Sequence, residues 1–259
     1  MQYWTNERVA KAQTALTKKS IKQIEKQMRK YYANAMKHTI TNFSVTYNKV
    51  LSAIEDGKQP TPADLYKLDT YWQMQGQLRE ELQKLGDKQI VALSKAFEAN
   101  FFEIYYSNAI PGLEAYNTID KGMVSQLVNS IWVADGKSWS QRIWENTNKL
   151  AEMLNEELVN CVVSGSSSKD LTRKLQERFG VSYTNADSLV RTEMAHIQTQ
   201  AAKKRYEDYG IEYVEVWADK DERRCKVCGK LHKTRYPIGQ QPPIPAHPRC
   251  RCCIVPVVD

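Results

Sequence analysis

Five of the six cysteines crowd into one short stretch, Cys225, Cys228, Cys250, Cys252 and Cys253, while Cys161 stands alone. Cys225-Lys-Val-Cys228 and His247-Pro-Arg-Cys250-Arg-Cys252 combine thiolates with an imidazole, the ligands zinc prefers, and a structural zinc takes four of them in a tetrahedron. A Cys-x-x-Cys turn places two sulfurs on one ion. The preferred ligand set is Cys225, Cys228, His247 and Cys250. Cys252 is the alternative to Cys250, because alternation along an extended 249–253 segment points both to the same side and turns Cys253 away as a small core residue. The eighteen residues from Gly229 to Ala246 hold five prolines or glycines beyond Gly229 and almost no helix or strand signal. A metal pins such a loop at both ends, contributing roughly 10 kcal/mol or more to folding. Reduced, buried cysteines without an ion are the competing reading.

A catalytic zinc fits this pattern poorly. It needs three protein ligands, an open position and a nearby acid as base. Here ligands outnumber that need, and no Asp or Glu lies between Lys226 and Cys252. The deaminase signature, H-x-E with P-C-x-x-C, is missing as well. No enzymatic activity is therefore expected. The alternative is a zinc-dependent nucleic-acid-processing enzyme using Glu193 and His196, which stand three apart on one helix face. The plainer reading makes Arg191 and Glu193 a structural polar pair that pins the helix to the strand and loop. Asp219 and Asp221 can accept from turn amides or from Arg191. His232 is a spare ligand in the loop, and His38 a solvated or interface residue.

The charge is placed unevenly. The net charge is +7, and segment 220–251 alone holds nine basic and two acidic residues, so the rest of the chain is neutral. A patch of that density attracts polyanions in a salt-dependent, sequence-indifferent way. The candidate nucleic-acid contacts are Arg223, Arg224, Lys226, Lys230, Lys233, Arg235, Arg249 and Arg251. A solvated face with acidic partners from the helical part is the competing reading.

The elements that must position these residues are mostly helices. A hydrophobic content of 42% suits long amphipathic helices with much solvated surface. Apolar residues at alternating three and four spacing from Ile21 to Ile54 predict one helix, ended by Glu55-Asp56-Gly57 and Pro60. Thr61-Pro62-Ala63-Asp64 opens a second helix that reaches Gly86. A third runs from Ile90 to Ile104 and stops before Pro111-Gly112. Further helices are expected over 122–132, from Ser138 to Val162, over 171–179 ending at Gly180, and over 185–209 ending at Gly210. Ser164 to Ser168 is the most linker-like stretch. Ile211 to Trp217 and Cys253 to Val258 read as strands that pair. The fold class is mainly α: long N-terminal helices, residues 1–163, followed by a small zinc-stabilised α+β C-terminal domain, residues 164–259. No apolar run is long enough to span a membrane. No secretory signal is visible at the N-terminus, so an intracellular protein without disulfides is expected.

Taken in order, Arg191-Thr-Glu193 on a helix, a strand ending in Trp217, Asp221-x-x-x-Cys225-x-x-Cys228, Pro242-Pro243 and His247-Pro-x-Cys250-Arg-Cys252 resemble the head morphogenesis domain of tailed bacteriophages. This is the domain of minor head proteins similar to the F protein of phage Mu. Tyr3-Trp4 followed by a long charged helix resembles the start of many such proteins. The likeness in motifs covers roughly residues 160–259, and the rest matches only in style. The resemblance implies a minor capsid protein without enzymatic activity, binding the portal protein and other capsid or scaffold proteins. It further implies association with double-stranded DNA without sequence preference and a place inside the phage head after assembly in the host cytoplasm. Cys253 beside Cys252 departs from the pattern and leaves the fourth ligand open. Some relatives carry toxin-like domains, and no stretch of this chain is expected to form one.

Overall fold

The computed structural model describes residues 5–53, 61–110, 118–219 and 224–258. The chain order is α1 (Asn6–Ala53), α2 (Pro62–Tyr66), α3 (Asp69–Ser107), α4 (Lys121–Val128), α5 (Trp139–Val163), α6 (Ser168–Asp208), β1 (Tyr213–Trp217), α7 (Lys226–Leu231), β2 (Arg235–Pro237) and β3 (Cys253–Pro256). The architecture is thus mainly α, with long N-terminal helices and a small C-terminal region that holds the strands.

Two expected breaks do not occur. The helices foreseen on either side of Gly86 form one helix, α3, and those on either side of Gly180 form α6. Glycine costs a helix interior only about 1 kcal/mol, which packing overrides. At Gly86 the reason is visible: the ring of Trp144 lies where a β-carbon would sit. The Thr61 cap forms as expected, its hydroxyl accepting from the Asp64 amide, but α2 ends at Tyr66 before α3 begins. Ser164 to Ser167 make a tight corner rather than a flexible linker. Gly165 takes φ +61°, the amide of Ser166 donates back to Cys161, and Ser167 caps α6 through Asp170. The predicted stops at Glu55-Asp56-Gly57 with Pro60 and at Pro111-Gly112 lie outside the described residues, as do Tyr3 and Trp4.

By compactness the chain divides into one unit of residues 1–25, 92–139 and 187–259 and another of 26–91 and 140–186. Each draws on both sides of residue 163. The second unit is helical. Its core includes Met28, Phe43, Leu78, Leu82, Leu150, Leu154 and Leu175, spaced at helical intervals so that each element gives it an apolar stripe. Buried hydroxyls tie its helices: Tyr32 to Ser182, and Tyr47 to the carbonyls of Cys161 and Ser166 at the corner.

The first unit carries the sheet, ordered β2-β1-β3 and antiparallel throughout. β1 and β3 pair as the sequence predicts, with Trp217 opposite Cys253. β2, inside the loop that showed no strand signal, adds the far edge. Val9 and Ala10 of α1 pack on Cys253, Val255 and Trp217. Behind them Gln13 forms a buried polar hub. Its amide nitrogen donates to Asn108 at 2.8 Å, Tyr206 at 2.8 Å and the Ile254 carbonyl at 3.2 Å, while its oxygen accepts from Gln198. One side chain on α1 thus ties the end of α3, α6 and β3 together.

Candidate metal centre

Three local folds deliver the soft ligands. Cys225 caps α7, its sulfur accepting from the Cys228 amide at 3.3 Å, so one turn of helix sets both sulfurs of the Cys-x-x-Cys on one side. His247 to Cys250 form a turn closed by the Cys250 amide on the His247 carbonyl, with Arg249 at φ +58°. From there the chain extends through Cys252 into β3.

His247 is oriented by its own backbone. Its Nδ1 lies 2.8 Å from the Pro248 carbonyl oxygen. A carbonyl only accepts, so Nδ1 carries the proton and Nε2 of the neutral ring presents its lone pair, the arrangement metal-binding histidines use. That Nε2 lies 3.3 Å from the Cys225 sulfur and 3.2 Å from that of Cys228. The sulfurs of Cys228 and Cys250 are 3.7 Å apart. Two triads result, Cys225–Cys228–His247 and Cys228–Cys250–Cys252, each with ligand atoms within 4.8 Å of one another, and Cys228 belongs to both. Tetrahedral zinc with its usual bond lengths requires sulfur pairs about 3.7 Å apart and sulfur–nitrogen pairs about 3.5 Å apart. The pairs Cys225–His247, Cys228–His247 and Cys228–Cys250 meet that requirement to within a few tenths of an ångström. A cavity of about 30 Å³ opens among Cys225, Cys228, His247 and Cys252, enough for one small occupant. The cluster can hold a metal ion.

The protons of these groups are shared. The hydrogen bond from Cys252 draws the Cys250 thiol down to about 5, and the same bond pushes Cys252 up. Burial raises Cys228 to about 12. The backbone amide of Cys228 lowers Cys225, and the Pro248 carbonyl raises His247. Cys250 is thus poised as the thiolate, the form that binds metal. Cys253 lies on the other side, buried against Val9, Ala10 and Val255.

Of the other sequence candidates, His232 is turned away: its Nδ1 accepts from the Ala218 amide and its ring meets Trp217 edge-on. His38 is largely exposed and lies 3.2 Å from Glu81. Asp219 takes Arg251 at 3.2 Å and Lys18 at 3.6 Å. Arg223 and Asp221 lie outside the described residues. Arg224, Lys226, Lys230, Lys233, Arg235 and Arg249 are exposed and Arg251 is half-buried. Among the described residues, three of these cations have carboxylate partners: Arg235 with Glu215, Arg249 with Asp187 and Arg251 with Asp219. Lys233 sits over the Trp217 ring. Arg224, Lys226 and Lys230, on and beside α7, present the open basic surface.

Arg191 and Glu193, two apart on α6, point to different sides. Arg191 donates to Glu25 on α1 and to Asp187. Glu193 accepts from the indole of Trp132 at 2.9 Å, and the same indole stacks on His196 with ring centroids 4.2 Å apart. Burial lowers the pKa of His196 to about 4. Neither Glu193 nor His196 lines the cavities beside the cluster. Sequence reasoning missed Asp187 and Trp132. Asp187 precedes Arg191 by four residues, a helical ion-pair spacing that could have marked it. Trp132 gave no signal.

Residues 152–255 match the family model described as Phage Mu protein F like protein. Among curated proteins, the chain is similar to the NAD(+)--arginine ADP-ribosyltransferase EFV of Enterococcus faecalis, with 25% identity over 159 residues, 54% of this chain and 32% of that protein. The chain thus spans about a third of that relative's length. No solved structure matches. No described helix is long and apolar enough to cross a membrane. The matched segment takes in α6, nearly all of the sheet and the entire Cys/His cluster, so the likeness to the family described as Phage Mu protein F like protein covers the candidate centre itself.

Proposed function

We propose that this phage head protein is a minor capsid component that acts by binding rather than by catalysis. Its helical residues 1–163 engage the portal protein and neighbouring capsid or scaffold surfaces. Residues 164–259, closed around one structural zinc, approach double-stranded DNA without sequence preference during packaging or delivery. It works in the head interior after assembly in the host cytoplasm.

The observation that carries this reading is the coincidence of the family match with the cluster: the Cys225, Cys228 and His247 donors, 3.2 to 3.3 Å apart where bridged, all fall inside residues 152–255. Zinc is preferred for its match to thiolate and imidazole. The proposed ligands are Cys225, Cys228, His247 and Cys250, with Cys252 able to replace Cys250. A closed tetrahedron leaves no position for substrate, and Glu193 and His196 are engaged with Trp132. Both features support a structural role. Arg224, Lys226 and Lys230 supply cations for a phosphate backbone.

Affinity capture of the chain from infected cells tests the reading. The portal protein is expected to co-purify, and duplex DNA is expected to shift in a gel at low salt and be released at high salt. Loss of both would overturn it.

A further inference from the structure

Beside the cluster, and within the same compact unit, a cavity of about 500 Å³ is walled by α1, α6 and the His247–Cys252 segment. Among the described residues, and apart from the cluster's own, its ionisable lining is Lys18, Arg191, Arg249 and Arg251, and no carboxylate lines it. The carboxylates that hold these cations, Glu25, Asp187 and Asp219, are not part of that lining. Four positive groups from three chain segments thus face one space, while the carboxylates that pair with them among the described residues stay outside its walls.

Neutral donors complete the lining. Thr14, Thr17 and Gln198 border the cavity. Thr17 is 5% exposed, and its hydroxyl oxygen is buried without a hydrogen-bond partner. A native buried hydroxyl without a partner calls for an explanation, and an acceptor held in the adjoining space supplies one. Guanidinium forks suit the oxygens of a phosphate, where a lone carboxylate would engage fewer of them. The volume falls within the range of about 300–1,000 Å³ for small-molecule sites, so a phosphate attached to a larger group fits.

We propose that this cavity is a phosphate-binding site, formed by Lys18, Arg191, Arg249 and Arg251 with Thr17, that takes a phosphate group from a free nucleotide-like compound or from a nucleic-acid strand. The site is separate from the exposed cations of α7 and does not depend on the DNA contact assigned to them.

The test is calorimetric titration of the full chain with inorganic phosphate and pyrophosphate, against chloride at matched ionic strength. Saturable binding is expected. Losing one charge-assisted contact should weaken it about tenfold in Arg251→Gln and about threefold in the more exposed Lys18→Gln. Thr17→Val should weaken it while leaving the charge intact. Because Arg251 adjoins two cysteines of the cluster, Lys18→Gln and Thr17→Val decide the matter if Arg251→Gln fails to fold. A short 5′-phosphorylated duplex is titrated in parallel. Competition with inorganic phosphate assigns the site to a strand, and its absence assigns the site to a free phosphate compound. Absence of saturable binding over chloride, or equal affinity in all three variants, would overturn the proposal.

Discussion

Arg249 donates to Oδ2 of Asp187 at 2.9 Å, and Nε of Arg191 reaches the same oxygen at 3.1 Å. One carboxylate on α6 therefore holds both an arginine of its own helix and the turn that leads into Cys250. The Arg249 amide adds a bond to the Thr192 hydroxyl at 3.0 Å. Asp187→Ala strips both guanidiniums of a partner. With Asp187 mostly buried and Arg249 half in solvent, the expected loss is about 1–3 kcal/mol in denaturant unfolding. Metal should also leave faster when a chelator is added. Wild-type values in both measurements would count against this role for Asp187.

Cys228 is shared by both ligand triads, whereas Cys253 packs among apolar residues on the far side of the strand. Cys228→Ser should therefore abolish stoichiometric zinc and lower the melting temperature of the sheet-bearing unit. Cys253→Ala should keep one ion per chain and cost only packing, about 1 kcal/mol. Metal analysis of the two purified variants separates these outcomes. Equal zinc content in both would refute the ligand assignment.

These two cysteines also mark how far the sequence could be read. Spacing and alternation were enough to bring Cys225, Cys228, His247, Cys250 and Cys252 together and to turn Cys253 inward, because a strand's period of two is local. The pairing of β1 with β3 was legible for the same reason. The partners of Arg191 and Glu193 were not. Glu25 and Trp132 lie 166 and 61 positions away, and only tertiary packing decides such contacts. The continuity of α3 and α6 was hidden because glycine's propensity argues for a break, and the cost is small enough for neighbours such as Trp144 to outweigh it. The part that Gln13 plays needed knowledge of four elements at once.

His196 makes the fold sensitive to acid. Burial against Trp132 lowers its pKa from an ordinary 6.5 to about 4. Below 6.5 the unfolded chain takes up a proton at this residue, while the folded chain does not until pH nears 4. Stability is therefore fully present above about pH 6.5 and is lost as pH falls toward 4, by roughly 3 kcal/mol from this group. Unfolding followed by tryptophan fluorescence between pH 7 and 4 should show this slope, and His196→Gln should flatten it. A variant that keeps the full slope would assign the acid sensitivity elsewhere.

Gly86 and Gly76 both lie inside α3, yet their replacement should move stability in opposite directions. Alanine favours a helix interior over glycine by about 1 kcal/mol, since glycine loses more backbone freedom on folding. At position 76 nothing lies within 4 Å of a new β-carbon, so Gly76→Ala should stabilise the protein by about 0.5–1 kcal/mol. At position 86 the β-carbon would stand 2.6 Å from Cη2 of Trp144 and 2.9 Å from Cε3. The indole is too rigid to yield without moving its helix, and overpacking of this kind costs about 1–3 kcal/mol. Gly86→Ala should therefore destabilise despite its better propensity. Trp144→Leu in the same chain should recover part of the loss by making room for the methyl group. Denaturation midpoints of the three variants check the argument, and a stabilising Gly86→Ala would show that the ring does not hold α3 and α5 together at this point.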